Sequence, residues 1–149
     1  MAVVAQTIAA ALAVFAIGAV LNAPRKALLL SAVIGGIVWL IFYLIKSEGQ
    51  VVLGTFVAAV VTALFAQIFA RIFKTPATVF LISAIYLFVP GTSIYRSVLG
   101  LISGDREQFI YYANETIMIA GAIATAVFMI DSIFIIINRF KKRKDPSHE

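Results

Sequence analysis

Cysteine is missing from the chain, and histidine occurs once, at position 148. The first absence excludes a disulfide framework, thiolate metal ligation and a cysteine nucleophile. The single histidine stands in a polar tail, where it makes neither a metal site nor a catalytic residue. Charge is also scarce, at 13% of 149 residues, where a soluble domain of this size carries roughly a quarter. Walker, Rossmann, zinc-site and nucleophile-elbow patterns do not occur, so the sequence gives no cofactor or metal site and predicts no enzyme.

What is present in quantity is hydrocarbon. Hydrophobic residues make up 62% of the chain, which predicts an all-α membrane protein rather than a soluble domain. Five apolar runs are long enough to cross about 30 Å of hydrocarbon: Ala2 to Leu21, Ala27 to Ile45, Val51 to Phe73, Thr78 to Ile102 and Thr116 to Ile137. The N-terminal run lacks a basic n-region and exceeds the usual signal-peptide core, so it reads as a retained span. The connections are short and polar, the last from Ser103 to Glu115. Pro24 and Pro76 suit the first turn of a following helix, where the missing amide hydrogen is not needed.

The net charge of +5 does not point to nucleic acid, because the basic residues are bunched beside the apolar runs. Five spans place Arg25, Lys26, Arg71, Lys74 and the five basic residues between Arg139 and Lys144 on one side; Lys46, Arg96 and Arg106 fall on the other. The positive-inside rule then predicts an outside N-terminus and a cytoplasmic tail. The expected organisation is a polytopic bundle of about five transmembrane helices over residues 1–138, with a basic cytoplasmic tail at 139–149. Four spans with one interfacial run is the competing count.

Small residues mark expected packing faces, since helices associate in lipid by close approach. They are Ser31, Gly35 and Gly36 in the second span, Gly54, Ala58 and Thr62 in the third, and Ala113, Ala120 and Ala124 in the fifth. Asp131 lies seven residues after Ala124, so its carboxylate is expected to share that inward face. Two readings are open for it: a proton-coupling group, or a structural partner of Arg71, Lys74 or a tail lysine. Gln67, and Asn22 at the first turn, are expected to bridge helices through their amides. Asp105, Arg106, Glu107 and Glu115 are expected in a solvated outer loop.

The fourth span is the irregular one. It breaks at Pro90-Gly91 and continues with Thr92, Ser93, Tyr95 and Arg96. Proline removes a donor and glycine weakens helix, so a half-helix starting at Thr92 or Ser93 would present its positive end, capped by hydroxyls, inside the membrane. Pro90, Gly91, Thr92, Ser93, Tyr95 and Arg96 are therefore the expected substrate-binding residues for a carboxylate. A plain kink without a ligand is the alternative at Pro90, and snorkelling to the interface is the alternative for Arg96.

Asn22 to Leu28 leading into Gly35-Gly36-Ile37-Val38-Trp39, the Arg71 to Pro76 turn, and Phe88 to Tyr95 together resemble the threonine/serine exporter family. The similarity is closer to its small-subunit type, equivalent to the C-terminal half of the fused exporters. The resemblance implies an inner-membrane exporter component driven by the proton-motive force, exporting threonine and serine or, in a two-component branch, dicarboxylates such as succinate. It implies a larger five-span partner subunit; action as a homo-oligomer is the other possibility. The Asn22–Pro24 turn, the Pro90-Gly91 break and Tyr95 carry over from the family, whereas Asp131 does not. A non-transporting membrane scaffold is the alternative function.

Overall fold

The computed structural model describes residues 2–144. Six helices follow one another: α1 (Ala2–Val20), α2 (Arg25–Ser47), α3 (Val51–Phe73), α4 (Ala77–Ile85), α5 (Gly91–Ser103) and α6 (Arg106–Lys144). Four are long and apolar enough to cross a membrane, and the bent pair Ala77–Phe88 and Gly91–Ser103 makes a fifth if counted as one broken span. No strand occurs among the described residues. The expected all-α polytopic bundle, broken in its fourth span, is what the chain forms.

Turn chemistry sets the connections. Pro24 and Pro76 stand immediately before α2 and α4 with φ near −55°. Gly49 and Gly104 take φ of +79° and +76° between α2 and α3 and between α5 and α6, a region closed to most side chains. Asn22 takes φ of 55°, which asparagine tolerates better than other residues. Its side chain is exposed and makes no hydrogen bond to another helix among the described residues. Asn22 thus shapes the first turn; it is not the helix bridge the sequence suggested.

Packing proceeds through α1 on α2, α2 on α3, α3 on α4, and α6 against both α3 and α5. Gly35 admits α1 closely: a Cβ there would lie 2.5 Å from a Val14 methyl. The small face of α3 is buried as expected at Gly54, Ala58 and Thr62. Where α2, α3 and α4 meet, aromatic rings fill the core. Phe69 contacts Phe73 and Phe80 edge-on, with ring centroids 5.9 and 5.8 Å apart, and Phe42 meets Phe88 at 5.4 Å. Such pairs contribute roughly 0.5–1.5 kcal/mol beyond burial. Phe88, only 3% exposed, therefore anchors the chain just before the break.

Two expectations about α6 fail. The polar stretch after Gly104 is not a loop: Asp105 accepts a hydrogen bond from the Gln108 amide at 3.0 Å, an N-cap that starts the helix at Arg106. The helix then runs 39 residues, about 58 Å at 1.5 Å per residue. Its buried face also differs, passing through Ile119, Ala126 and Ile130. Ala120 and Ala124 are exposed, because α3 and α5 contact the neighbouring side of the helix.

Candidate functional site

The break in the fourth span is built from short-range bonds. The Phe88 amide donates to the Ile85 carbonyl at 2.8 Å, and the Gly91 amide donates to the Val89 carbonyl at 2.7 Å. The Ile85 carbonyl, near the proline break, is thus engaged. Helical bonding resumes when the Ile94 amide donates to Pro90, at 2.9 Å, so the Thr92 and Ser93 amides precede the first helical bond of α5. The two parts of the span meet at a bend of 49°.

Hydroxyl capping, as expected from Thr92 and Ser93, does not occur: Pro90 occupies the cap position and no side chain bonds there. Ser93 instead turns toward α6 and donates to a Glu115 carboxylate oxygen at 2.6 Å. Three residues on, Arg96 donates to the Tyr112 hydroxyl at 2.6 Å and stacks on its ring at 5.2 Å. One further turn along, Gly100 brings the backbones together, with a Cβ there only 2.7 Å from the Phe109 amide nitrogen. The spacing 93, 96, 100 is one helical face. That face zips α5 onto the start of α6.

Of the six residues expected to bind substrate, Ser93 is buried, Pro90 is half-buried, and Gly91, Thr92, Tyr95 and Arg96 are exposed. Glu115, assigned to a loop by its polar neighbours, is half-buried and bonded to Ser93. Its signal was present in the sequence: an acid beginning an apolar run is expensive unless it is partnered.

Glu115 also lines a cavity of about 740 Å³ between the start of α3 and the first half of α6, together with Gln50, Phe56, Tyr111, Asn114 and Met118. A second, more polar hollow of about 560 Å³ holds Arg96 with Asp105, Glu107 and Tyr112. Tyr111 separates them, lining both.

A second polar cluster ties α3 to the other half of α6. Gln67 Nε2 donates to Asp131 Oδ1. Arg71 donates to the Gln67 side-chain oxygen at 3.0 Å and to its carbonyl at 2.6 Å. The same guanidinium reaches Asn138 Oδ1 at 3.3 Å and stacks on Phe134 at 4.4 Å. Gln67 lies between Arg71 and Asp131, so its amide relays one to the other rather than letting them meet directly. Lys74 and Lys46 take no part in it; the tail lysines' side chains and His148 lie outside the described residues.

Deeper in the bundle, Thr55 and Ser83 donate back to carbonyls four residues earlier, the usual resolution for hydroxyls in apolar helices. Ser31 and Thr62 do not, and both face a void of about 10 Å³. Among the described residues, no group of three or more potential metal ligands occurs.

A family model described as Threonine/Serine exporter, ThrE, matches residues 6–133. That match covers α1 to α5 and α6 past Asp131. No match was found among curated proteins or among solved structures.

Proposed function

The chain belongs to the threonine/serine exporter family, and on that premise we propose that it is a subunit of a secondary transporter exporting small carboxylate-bearing metabolites. Threonine and serine are the first candidates and dicarboxylates such as succinate the second. The single observation that carries this reading is the fourth span broken by 49° at Pro90-Gly91. Interrupted helices at membrane depth line substrate paths, because freed backbone groups need a polar ligand or water there. The unpartnered Thr92 and Ser93 amides at the start of α5 suit a carboxylate, and Arg96 lies one turn on.

In this reading Asp131 couples transport to the proton gradient from within the Gln67–Arg71 cluster. The chain sits in the inner membrane with its N-terminus outside and its basic tail in the cytoplasm, as its charge distribution favours. A larger partner subunit, or a second copy, covers the faces of α1 and α6 that carry exposed apolar residues. The uncovered small residues Ala120, Gly121 and Ala124 suit close approach of such a helix.

Efflux tests it. Cells expressing the chain with and without a larger subunit are loaded with threonine, serine or succinate, and Pro90→Ala is compared at matched protein levels. Efflux should fall about tenfold or more, the scale of losing roughly 1.4 kcal/mol of ordered contact. Normal efflux by the variant would remove the break from the substrate path.

A further inference from the structure

Hydroxyls in apolar helices commonly bond back to their own backbone. Thr7, Thr55, Ser83, Thr116 and Thr125 each do so, donating to the carbonyl four residues earlier at 2.7–2.9 Å. Ser31 on α2 and Thr62 on α3 do not. Neither oxygen has a hydrogen-bond partner among the described residues, although the two residues are only 7% and 2% exposed. A buried hydroxyl without a partner carries its full desolvation cost, and hydrocarbon around the bundle offers nothing to relieve it. Both residues line one void, where α2, α3 and α4 meet.

The size and chemistry of that void select its occupant. Its volume is about 10 Å³, at the lower end of the about 10–15 Å³ that one water needs and far below the about 300–1,000 Å³ of small-molecule sites. A metabolite is therefore excluded. Two neutral hydroxyls also fall short of the about six oxygens that a hard divalent cation gathers. The remaining lining is hydrocarbon, from Ile34 on α2, Phe65 and Phe69 on α3, and Phe80 and Ala84 on α4. A void lined by such groups alone stays dry, whereas a water is held where it finds about two to four polar partners.

We propose that this void is the site of a single ordered water that bridges the Ser31 and Thr62 hydroxyls and so joins α2 to α3 beside α4. The water oxygen accepts from one hydroxyl while one of its hydrogens donates to the other, so each gains the partner that its own helix does not supply. The bridge is a polar tie in an interface otherwise held by hydrocarbon and aromatic rings, next to the first half of the broken span. It stands independently of the exporter reading and of any cargo.

X-ray radiolytic labelling of the purified full-length chain in lipid nanodiscs, read by mass spectrometry, tests the site directly, because radicals formed from an ordered water modify the side chains beside it. Phe69 and Phe80, 7% and 5% exposed, should be labelled, while Phe88, 3% exposed and away from the void, stays at background. In Ser31→Ala/Thr62→Val the labelling of Phe69 and Phe80 should fall several-fold. Reversible unfolding gives a second readout whose sign matters. Thr62→Val keeps the shape of the side chain and removes a partner of the water, so it should lower the folded-to-unfolded ratio about 3- to 10-fold, the scale of one hydrogen bond. Adding Ser31→Ala to it should cost less than Ser31→Ala alone, because the bridge is already broken. Stability unchanged or raised by Thr62→Val would mean a dry void and would overturn the assignment. Strictly additive losses would overturn it too, as the mark of two hydroxyls each bonded to its own helix. If the variants do not fold, the wild-type protein decides: labelling of Phe69 and Phe80 no higher than that of Phe88 sinks the bridge.

Discussion

Removing the Gln67 amide separates a structural role for Asp131 from a coupling one. Gln67→Leu keeps similar bulk on α3 but leaves the Asp131 carboxylate without its donor and Arg71 without one acceptor. A hydrogen bond to a charged group contributes about 1.5–3 kcal/mol in soluble proteins. Polar contacts between helices in bilayers average about 0.6 kcal/mol and reach about 1.7. The Asp131 contact is half-buried and the Arg71 contact exposed, so the loss should be about 1–2 kcal/mol, nearly all from Asp131. Asp131→Asn retains an acceptor and should lose less.

Reversible unfolding in bicelles, run as a double-mutant cycle on Gln67→Leu and Asp131→Ala, which removes the acceptor outright, should give a coupling of about 1 kcal/mol. Efflux by Asp131→Asn should lose its dependence on the pH gradient while the fold persists. A coupling indistinguishable from zero would refute the bridge. Unchanged gradient dependence would refute the proton role even if the bridge stands.

Two further outcomes follow from the α5–α6 hairpin. Gly100→Ala places a methyl 2.7 Å from the Phe109 nitrogen and 3.1 Å from the Asp105 carbonyl, and backbone cannot step aside as a side-chain tip can. It should destabilise by about 1–3 kcal/mol and speed hydrogen exchange across α5; unaltered exchange would contradict the close approach. Asp105→Ala removes the cap of α6 and should cost about 0.5–2 kcal/mol, read by unfolding, with faster exchange at Gln108 than at Ile119; uniform protection would show that the cap is idle.

Long apolar runs made four of the spans plain, because bilayer thickness leaves few options for about twenty apolar residues. Pro90-Gly91 was equally plain as a break, since no continuous helix tolerates both the missing donor and the weak residue cheaply. What polarity concealed was the start of α6. Asp105, Glu107 and Gln108 are polar enough to resemble a loop, yet they hold the positions of an N-cap and first turn, and only the Asp105 hydrogen bond distinguishes the two. Glu115 was hidden by the same error: once its neighbours are helical, it faces Ser93 rather than water. The Ala120–Ala124 face misled for another reason, because small residues show where a helix can be approached, not which neighbour in this chain approaches it.

Two carboxylates of α6, Glu115 and Asp131, sit on one uninterrupted helix. Glu115 and Asp131 are sixteen residues apart, about 24 Å along the axis, within one continuous helix that carries no proline between them. A lever of that length obeys simple mechanics. If its Asp131 end is the fulcrum, pinned to α3 through Gln67, a small tilt becomes a displacement of several ångströms at Glu115, which tugs Ser93 and the half-helix behind it. Slack at one end is then felt as strain at the other, and neither carboxylate can be repositioned by rigid motion of α6 without the other registering it.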